Sequence, residues 1–262
     1  MIDTHSHVLP GIDDGAKTLE ESIELCRMAA DDGLATMVCT PHISFRYANN
    51  RASIEAAFDR LAGAIAEEGI ALTLVKGAEV HMSPDILDKV RSRDLVTYND
   101  GARYLLLEFP FQQVLNGAEE MVYRLKLAGI TAVIAHPERI GYFMDDPDRL
   151  FQLIRLGALG QVTGGSLLGQ FGEKSKDVGL EMIERQLVHV VASDAHDASY
   201  RRPVLAEAAR TVAMRFDAER VRSMFHDLPA AIVSGAEIDP PPPVESQKRF
   251  KSFLSRFFAG KS

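Results

Sequence analysis

The sequence predicts an α/β barrel of parallel strands, and three observations predict it. Seven apolar, often β-branched runs alternate with helix-like segments along the 262 residues. A strand-then-helix rhythm of this kind calls for a parallel sheet with covering helices. His, Asp or Glu closes most of the strand-like runs, and α/β barrels carry their chemistry on that C-terminal face. The length suits a single barrel.

The elements follow in order. MIDTH opens the chain as the first strand, and Thr18 with Glu21 makes a capping-box signature before LEESIELCRMAADDG, which Gly33 closes. TMVCT is the second strand and LTLVKGAEV the third. Ser83-Pro84 reads as an N-cap followed by a proline in the first helical position. YLLLEF is the fourth strand, and helical spacing covers 116–129 with Gly129 as the stop. TAVIAH is the fifth strand, and Asp146-Pro147 repeats the cap-plus-proline signal. LGQVTG is the sixth strand, a helical pattern covers 173–186, and VHVVASD is the seventh strand. No repeat is visible beyond this alternation.

Composition narrows the function classes. The chain is 46% hydrophobic and 25% charged, ordinary for a soluble globular protein. The start lacks a basic signal-peptide region, and the apolar runs are far shorter than the ~20 residues that span a bilayer. Two cysteines, Cys26 and Cys39, fit reduced thiols and a cytoplasmic location. The net charge of −8 is uneven: residues 244–262 carry +4 and the rest −12. So acidic a body excludes general nucleic-acid binding.

The expected division is a barrel over 1–238 and a Pro-rich linker with a basic amphipathic helix over 239–262. PPPP at 240–243 favours a stiff, extended linker. Phe250, Phe253, Leu254, Phe257 and Phe258 then fall on one helical stripe among five cations. Such a helix packs on protein or binds an anionic membrane surface, which would place the chain peripherally at the inner face of the membrane. Oligomeric state is left open.

The ionisable residues at the strand ends carry the functional reading. Side chains alternate along a strand, so His5 and His7 face one way, as do Asp194 and His196. Nine residues punctuate the strand ends: His5, His7, Asp14, His42, Glu79, Glu108, His136, Asp194 and His196. A lone strand-end carboxylate is usually a solvated cap. Nine together would be very costly to bury without cations. Mixed imidazole and carboxylate ligands suit Mn, Fe or Zn. Neighbouring cations point to hydrolysis of phosphate esters or amides.

The other signals are weaker. His81 could face the site as a substrate contact, His189 reads as packed and His226 as exposed. Six residues separate Cys39 from Arg46, so the Cys-x5-Arg loop of cysteine phosphatases fails, and Cys39 reads as core. Arginine binds phosphate in a planar, often bidentate way. Arg139 follows one ligand strand, and Arg201 and Arg202 follow the last. Arg139 and Arg202 are the expected phosphate contacts, with Arg201 as the neighbouring alternative.

MIDTHSHVLPGIDDGAKTLEES, TPH, GAEVHMSPD, LLLEF, IAHPER, QVTGGSLLGQFG and VASDAHD with RRP resemble the polymerase-and-histidinol-phosphatase superfamily. The nearest branch is the manganese-dependent bacterial protein-tyrosine phosphatases of capsule and exopolysaccharide clusters. The likeness covers roughly residues 1–235. It implies a distorted (β/α)7 TIM-like barrel with three divalent ions, Mn2+ before Fe or Zn. It assigns one ion to His5, His7, Glu79 and Asp194. A second takes Glu79 as a bridge with Glu108 and His136, and a third takes Asp14, His42 and His196. Arg139 and Arg202 match the family's phosphate-binding arginines. Ser166 stands where some members carry a histidine. The implied substrate is phosphotyrosine on a cognate bacterial tyrosine kinase, with a hydroxide generated on the metals attacking phosphorus in line. Asp194 or His196 would serve the leaving group. The competing readings are a small-molecule phosphatase, for histidinol phosphate or a nucleotide, and a scaffold without catalysis. Filled ligand positions speak against the last.

Overall fold

The computed structural model describes residues 1–112 and 116–246. Nine parallel strand segments make the sheet: β1 Ile2–Ser6, β2 Thr36–Cys39, β3 His42–Ile43, β4 Thr73–Lys76, β5 Glu79–His81, β6 Tyr104–Glu108, β7 Thr131–Ala135, β8 Leu159–Thr163 and β9 Val190–Ala192. They form two sheets, β1-β2-β4 and β3-β5-β6-β7-β8-β9. A parallel bridge from Ser6 to Ala195 links their ends, with Asp194 N–H donating to His5 O (2.9 Å) and His7 N–H to Ala195 O (2.8 Å). The ring therefore closes as a seven-fold barrel.

Two of the seven expected strands are each broken in two. Pro41 separates β2 from β3 because it has no N–H for the ladder. Opposite it, Gly77 separates β4 from β5. A Cβ on Gly77 would lie 2.9 Å from Val38 Cγ1, so only glycine lets the two runs approach here. Pairing survives the break through Gly77 N–H to Cys39 O (3.0 Å) and Glu79 N–H to Pro41 O (3.1 Å). After it, β5 pairs with β6 while β4 does not. The turn Tyr98–Asp100 packs between β4 and β6, with Tyr98 buried. That filled gap distorts the barrel.

The interior and the outer layer are separate cores. Val38, Val75, Tyr104, Leu106, Val133 and Val190 fill the barrel, and Ile232 of the helix Leu228–Ser234 packs against them. Leu105, Leu107 and Ile134 point outward under the helices. This leaves the polar residues at the C-terminal ends as a distinct layer above the apolar interior.

Most helix ends obey the sequence signals. Thr18 Oγ1 accepts from Glu21 N–H (3.2 Å) before the helix Leu19–Asp31. Asp146 Oδ1 accepts from Asp148 N–H (3.2 Å) before Asp148–Arg155. The expected helices over 116–129 and 173–186 are Ala118–Leu127 and Glu173–Glu184. The Ser83 signal is displaced: the helix is Ile86–Arg91, because Ser83 Oγ is spent on Asp85 (2.6 Å) rather than on the backbone. The helix Arg51–Glu67 carries none of the signals above, although Asn50 and Ser53 cap it reciprocally.

Among the described residues no helix is long and apolar enough to cross a membrane. Past the prolines, Val244 N–H donates to Arg185 O (2.8 Å) and Arg185 Nε donates back to Val244 O (3.2 Å). The helix expected in 244–262 lies outside the described residues from 247 onward.

Candidate metal centre

The centre starts from β1. An irregularity sets the three steps from Asp3 to Ser6 against two from Met37 to Cys39, which re-aims the end of the strand. His5 Nε2 and His7 Nε2 stand 3.0 Å apart. Glu79 Oε2, at the start of β5, is 3.4 Å from the first and 3.3 Å from the second. Asp194 Oδ1, just beyond β9, is 3.4 and 3.6 Å from them. All four side chains are buried.

Glu79 is shared. Its Oε1 lies 2.9 Å from His136 Nε2, and its Oε2 lies 2.9 Å from His42 Nδ1. Glu108 Oε2 sits 3.7 Å from His42 Nδ1 and 3.3 Å from His81 Nδ1. Asp14 Oδ1 is 3.4 Å from His42 Nε2 and 3.6 Å from His196 Nε2. Three overlapping groups have ligand atoms within 4.8 Å of one another: His5 with His7 and Glu79; His42 with Glu79 and Glu108; and His7 with Asp14, His42 and His196.

Two of the ligand positions bend the backbone. His136 has φ 34° and Asp194 φ 53°. Left-handed backbone is uncommon outside glycine and clusters at functional sites. Here it turns each side chain over the barrel mouth immediately after its strand.

The electrostatics hold Glu79, Asp194 and Asp14 ionised. Burial would raise the Glu79 carboxyl, but His5, His136 and His42 outweigh it and hold it well below the usual range. Burial opposes Asp194 in the same way, and His5, Arg201 and Arg139 overcome it. Asp14 is held low against burial by His196, His42 and His7. Burial would lower His7, but its bond to Asp13 and the Glu79 charge push it up to about 10. Burial and the His7 charge bring His196 down to about 4. His196 Nδ1 faces Asp194 O (3.0 Å), and a carbonyl only accepts, so the proton is on Nδ1 and the Nε2 lone pair is free.

These residues fit metal ions. Two imidazole nitrogens 3.0 Å apart, with carboxylate oxygens within 3.4 Å of His5 Nε2, make a donor set whose lone pairs converge as a cation requires. His42 Nδ1 and Glu79 Oε2 lie 2.9 Å apart without hydrogen-bond geometry, and His136 Nδ1 is buried with no hydrogen-bond partner among the described residues. Oxygen and imidazole donors without thiolate suit Mn, Fe or Zn.

The arginines require a correction. Arg139 Nη1 and Arg201 Nη2 both bind Asp194 Oδ2. Arg139 also lies over the Phe171 and Phe111 rings, at 4.2 and 5.6 Å. The sequence favours Arg202, yet Arg202 is exposed and outside the cleft, while Arg201 lines it. The turn closed by His196 N–H on Arg201 O (2.8 Å) brings Arg201 back over the site and sends its neighbour out. The cleft has a volume of about 380 Å³.

Of the remaining histidines, His81 lines the cleft. His189 is buried elsewhere, its Nδ1 accepting from Gly160 N–H (3.0 Å). His226 lies 3.0 Å from Asp227 on an exposed surface. Sequence reading gave no role to Asp13, which binds His7 Nδ1 (2.8 Å), or to Gln161, whose amide meets His5 Nδ1 (2.7 Å). A metal-binding histidine needs a partner on its other nitrogen, and Asp13 beside Asp14 was the one visible candidate.

Comparison with known proteins places the chain. The family described as capsular polysaccharide synthesis, CpsB/CapC, matches residues 1–234. The chain belongs to the CpsB/CapC family. This CpsB/CapC member is 36% identical to the tyrosine-protein phosphatase YwqE of Bacillus subtilis over 97% of its own length and 100% of that protein. It is 32% identical to the tyrosine-protein phosphatase CpsB of Streptococcus pneumoniae, covering 89% of this chain and 98% of the other. A solved structure from work on YwqE and CpsB, called metal-dependent tyrosine phosphatases, superposes with a TM-score of 0.90 at 36% identity, covering 94% of this chain and 99% of that one. A phosphotriesterase from Mycobacterium tuberculosis, 14% identical with a TM-score of 0.53 over 88% of this chain and 93% of that one, shares the fold alone.

Proposed function

We propose that the protein hydrolyses phosphotyrosine in proteins, using divalent metal ions. The observation that carries this reading is the convergence of nine imidazole and carboxylate side chains, seven lining one cleft and His5 and His7 buried beside them, with two arginines in the same cleft. The close relatives named tyrosine-protein phosphatases support the substrate.

His5, His7, Glu79 and Asp194 would hold one ion, Glu79, Glu108 and His136 a second, and Asp14, His42 and His196 a third, with Mn2+ the preferred metal. When bound, the cations supply a more acidic water and neutralise charge on phosphoryl oxygens. The chain's own residues supply the rest. Arg139 and Arg201 hold the non-bridging oxygens, exchanging their contact with Asp194 for one with phosphate. The Phe171 and Phe111 rings keep the Arg139 guanidinium at one angle. The tyrosine leaving group has a pKa near about 10 and needs little acid assistance. Asp194 is held ionised and His196 leaves its Nε2 unprotonated, so neither carries a proton to donate and the leaving oxygen takes its proton from water. No cysteine takes part: Cys26 and Cys39 are both buried.

The substrate protein in this reading is a bacterial tyrosine kinase of polysaccharide synthesis. The test is phosphate release from a phosphotyrosine peptide against histidinol phosphate, after chelation and after adding Mn2+. Mn2+-dependent release from the peptide supports the reading. Preference for histidinol phosphate transfers the site to small-molecule phosphatase chemistry.

A further inference from the structure

One aromatic side chain at the cleft mouth stands wholly in water. Phe45 is 104% exposed, the most exposed of the large apolar residues described. A single exposed apolar residue needs no explanation in itself. Phe45 differs because the backbone beneath it is braced. Ser44 N–H donates to Tyr47 O (2.9 Å), and Tyr47 N–H donates to Ser44 Oγ (3.2 Å). The Tyr47 ring lies flat against the His42 imidazole, 5.6 Å between centroids and 7° between planes. Asn49 Nδ2 ties the next stretch to Ile12 O (2.8 Å) and His42 O (2.9 Å). The turn is thus fixed to a residue of the metal centre, and its tip carries a phenyl ring outward.

The surroundings select the occupant. Arg139 and Arg201 lie in the cleft beyond Phe45, and Arg46 stands beside it over the Tyr47 ring at 5.3 Å. A phosphoryl group drawn to the arginines directs the rest of its molecule out past this rim. Phe111, the other large exposed apolar residue of the cleft, is stacked on His136 at 5.4 Å and 14°. A free phosphate ester held by the arginines leaves the exposed Phe45 ring at the cleft rim uncovered. A polypeptide continues on both sides of its phosphotyrosine and does reach it. Rigid exposed aromatics of this kind are the residues that anchor partners in complexes.

We propose that Phe45 docks an apolar side chain flanking the phosphotyrosine, so that the protein selects phosphopeptides with an apolar neighbour. This rests on the phosphotyrosine reading above. The experiment compares the full chain with Phe45→Ala and Phe45→Leu, loaded with Mn2+, on three substrates: free phosphotyrosine, a phosphotyrosine peptide flanked by leucines, and the same peptide flanked by serines. The expected result is a KM for the leucine peptide raised about tenfold by Phe45→Ala and restored by Phe45→Leu. Turnover of free phosphotyrosine stays unchanged, and the serine peptide responds little. An equal loss on all three substrates makes Phe45 a structural support of the site and overturns the proposal. So does a Phe45→Ala protein with wild-type KM on both peptides. If the wild-type chain hydrolyses none of the three, the phosphotyrosine reading itself has failed.

Discussion

The His7 imidazole donates through Nδ1 to Asp13 Oδ2 at 2.8 Å, and this bond decides which nitrogen faces the metal centre. Asp13 also accepts from Gly15 N–H (2.9 Å) and His42 N–H (3.1 Å), so one buried carboxylate fixes two ligand-bearing segments. Its pKa is brought down to about 2, against the cost of burial, by His7 and by those backbone donors.

Asp13→Asn should therefore weaken metal binding while leaving the fold in place. Partners behind a ligating histidine typically contribute about 10–100-fold in metal affinity. A Mn2+ titration of the chelated protein, followed by circular dichroism at each step, measures both. Wild-type affinity in the variant would show that His7 keeps its orientation unaided.

Arg201→Ala should lower kcat/KM with metal content unchanged, whereas Arg202→Ala should remain near wild type. Losing a hydrogen bond to a charged group costs about 1.5–3 kcal/mol, roughly a 10- to 150-fold drop. The reverse pattern in a phosphatase assay would mean that the loop after His196 rearranges when substrate enters.

His189 gives a pH dependence away from the metal centre. Burial, with a smaller push from Arg220, brings its pKa down to about 3. The unfolded chain takes up this proton near about pH 6.5 while the folded one does not. The neutral imidazole's contribution is therefore present above pH about 6.5 and is lost as pH falls toward 3. The slope approaches about 1.4 kcal/mol per pH unit. His189→Gln retains an acceptor for Gly160 N–H and cannot titrate. Urea unfolding from pH 7 to pH 4 should show the wild type losing stability relative to the variant as the solution is acidified. A constant gap would contradict the assignment.

Thiol chemistry should leave catalysis untouched. Burial pushes Cys26 up to about 12 and Cys39 well above the ordinary thiol range, so neither forms thiolate at neutral pH. Alkylation of the native protein should proceed slowly and without loss of phosphatase activity. Chelation should abolish activity, and added Mn2+ should restore it.

The metal-site geometry was legible because a strand's two-residue period fixes direction. His5 and His7 at i and i+2 must face one way, and a barrel leaves that face at its mouth. The breaks in two strands were less legible, since TMVCTPH and LTLVKGAEV each read as continuous. Pro41 and Gly77 do mark the breaks, but only their meeting across the sheet turns two local signals into one gap. Arg201 was harder still. Two adjacent arginines are equivalent in sequence, and the turn returning to His196 separates them. Asp13 was hidden by its neighbour, because a carboxylate that orients a ligand and one that serves as a ligand have the same chemistry.

The pairing of Val244 with Arg185 fixes a direction. Arg185 follows the helix Glu173–Glu184 and precedes β9, so it stands at the base of the barrel, opposite the cleft. The polypeptide leaving Ser246 starts from that base. A bead, a surface or a fused protein attached at that base itself would hold the molecule with its mouth turned outward. An enzyme anchored in this way keeps its entrance clear for a large phosphorylated partner approaching from the other side.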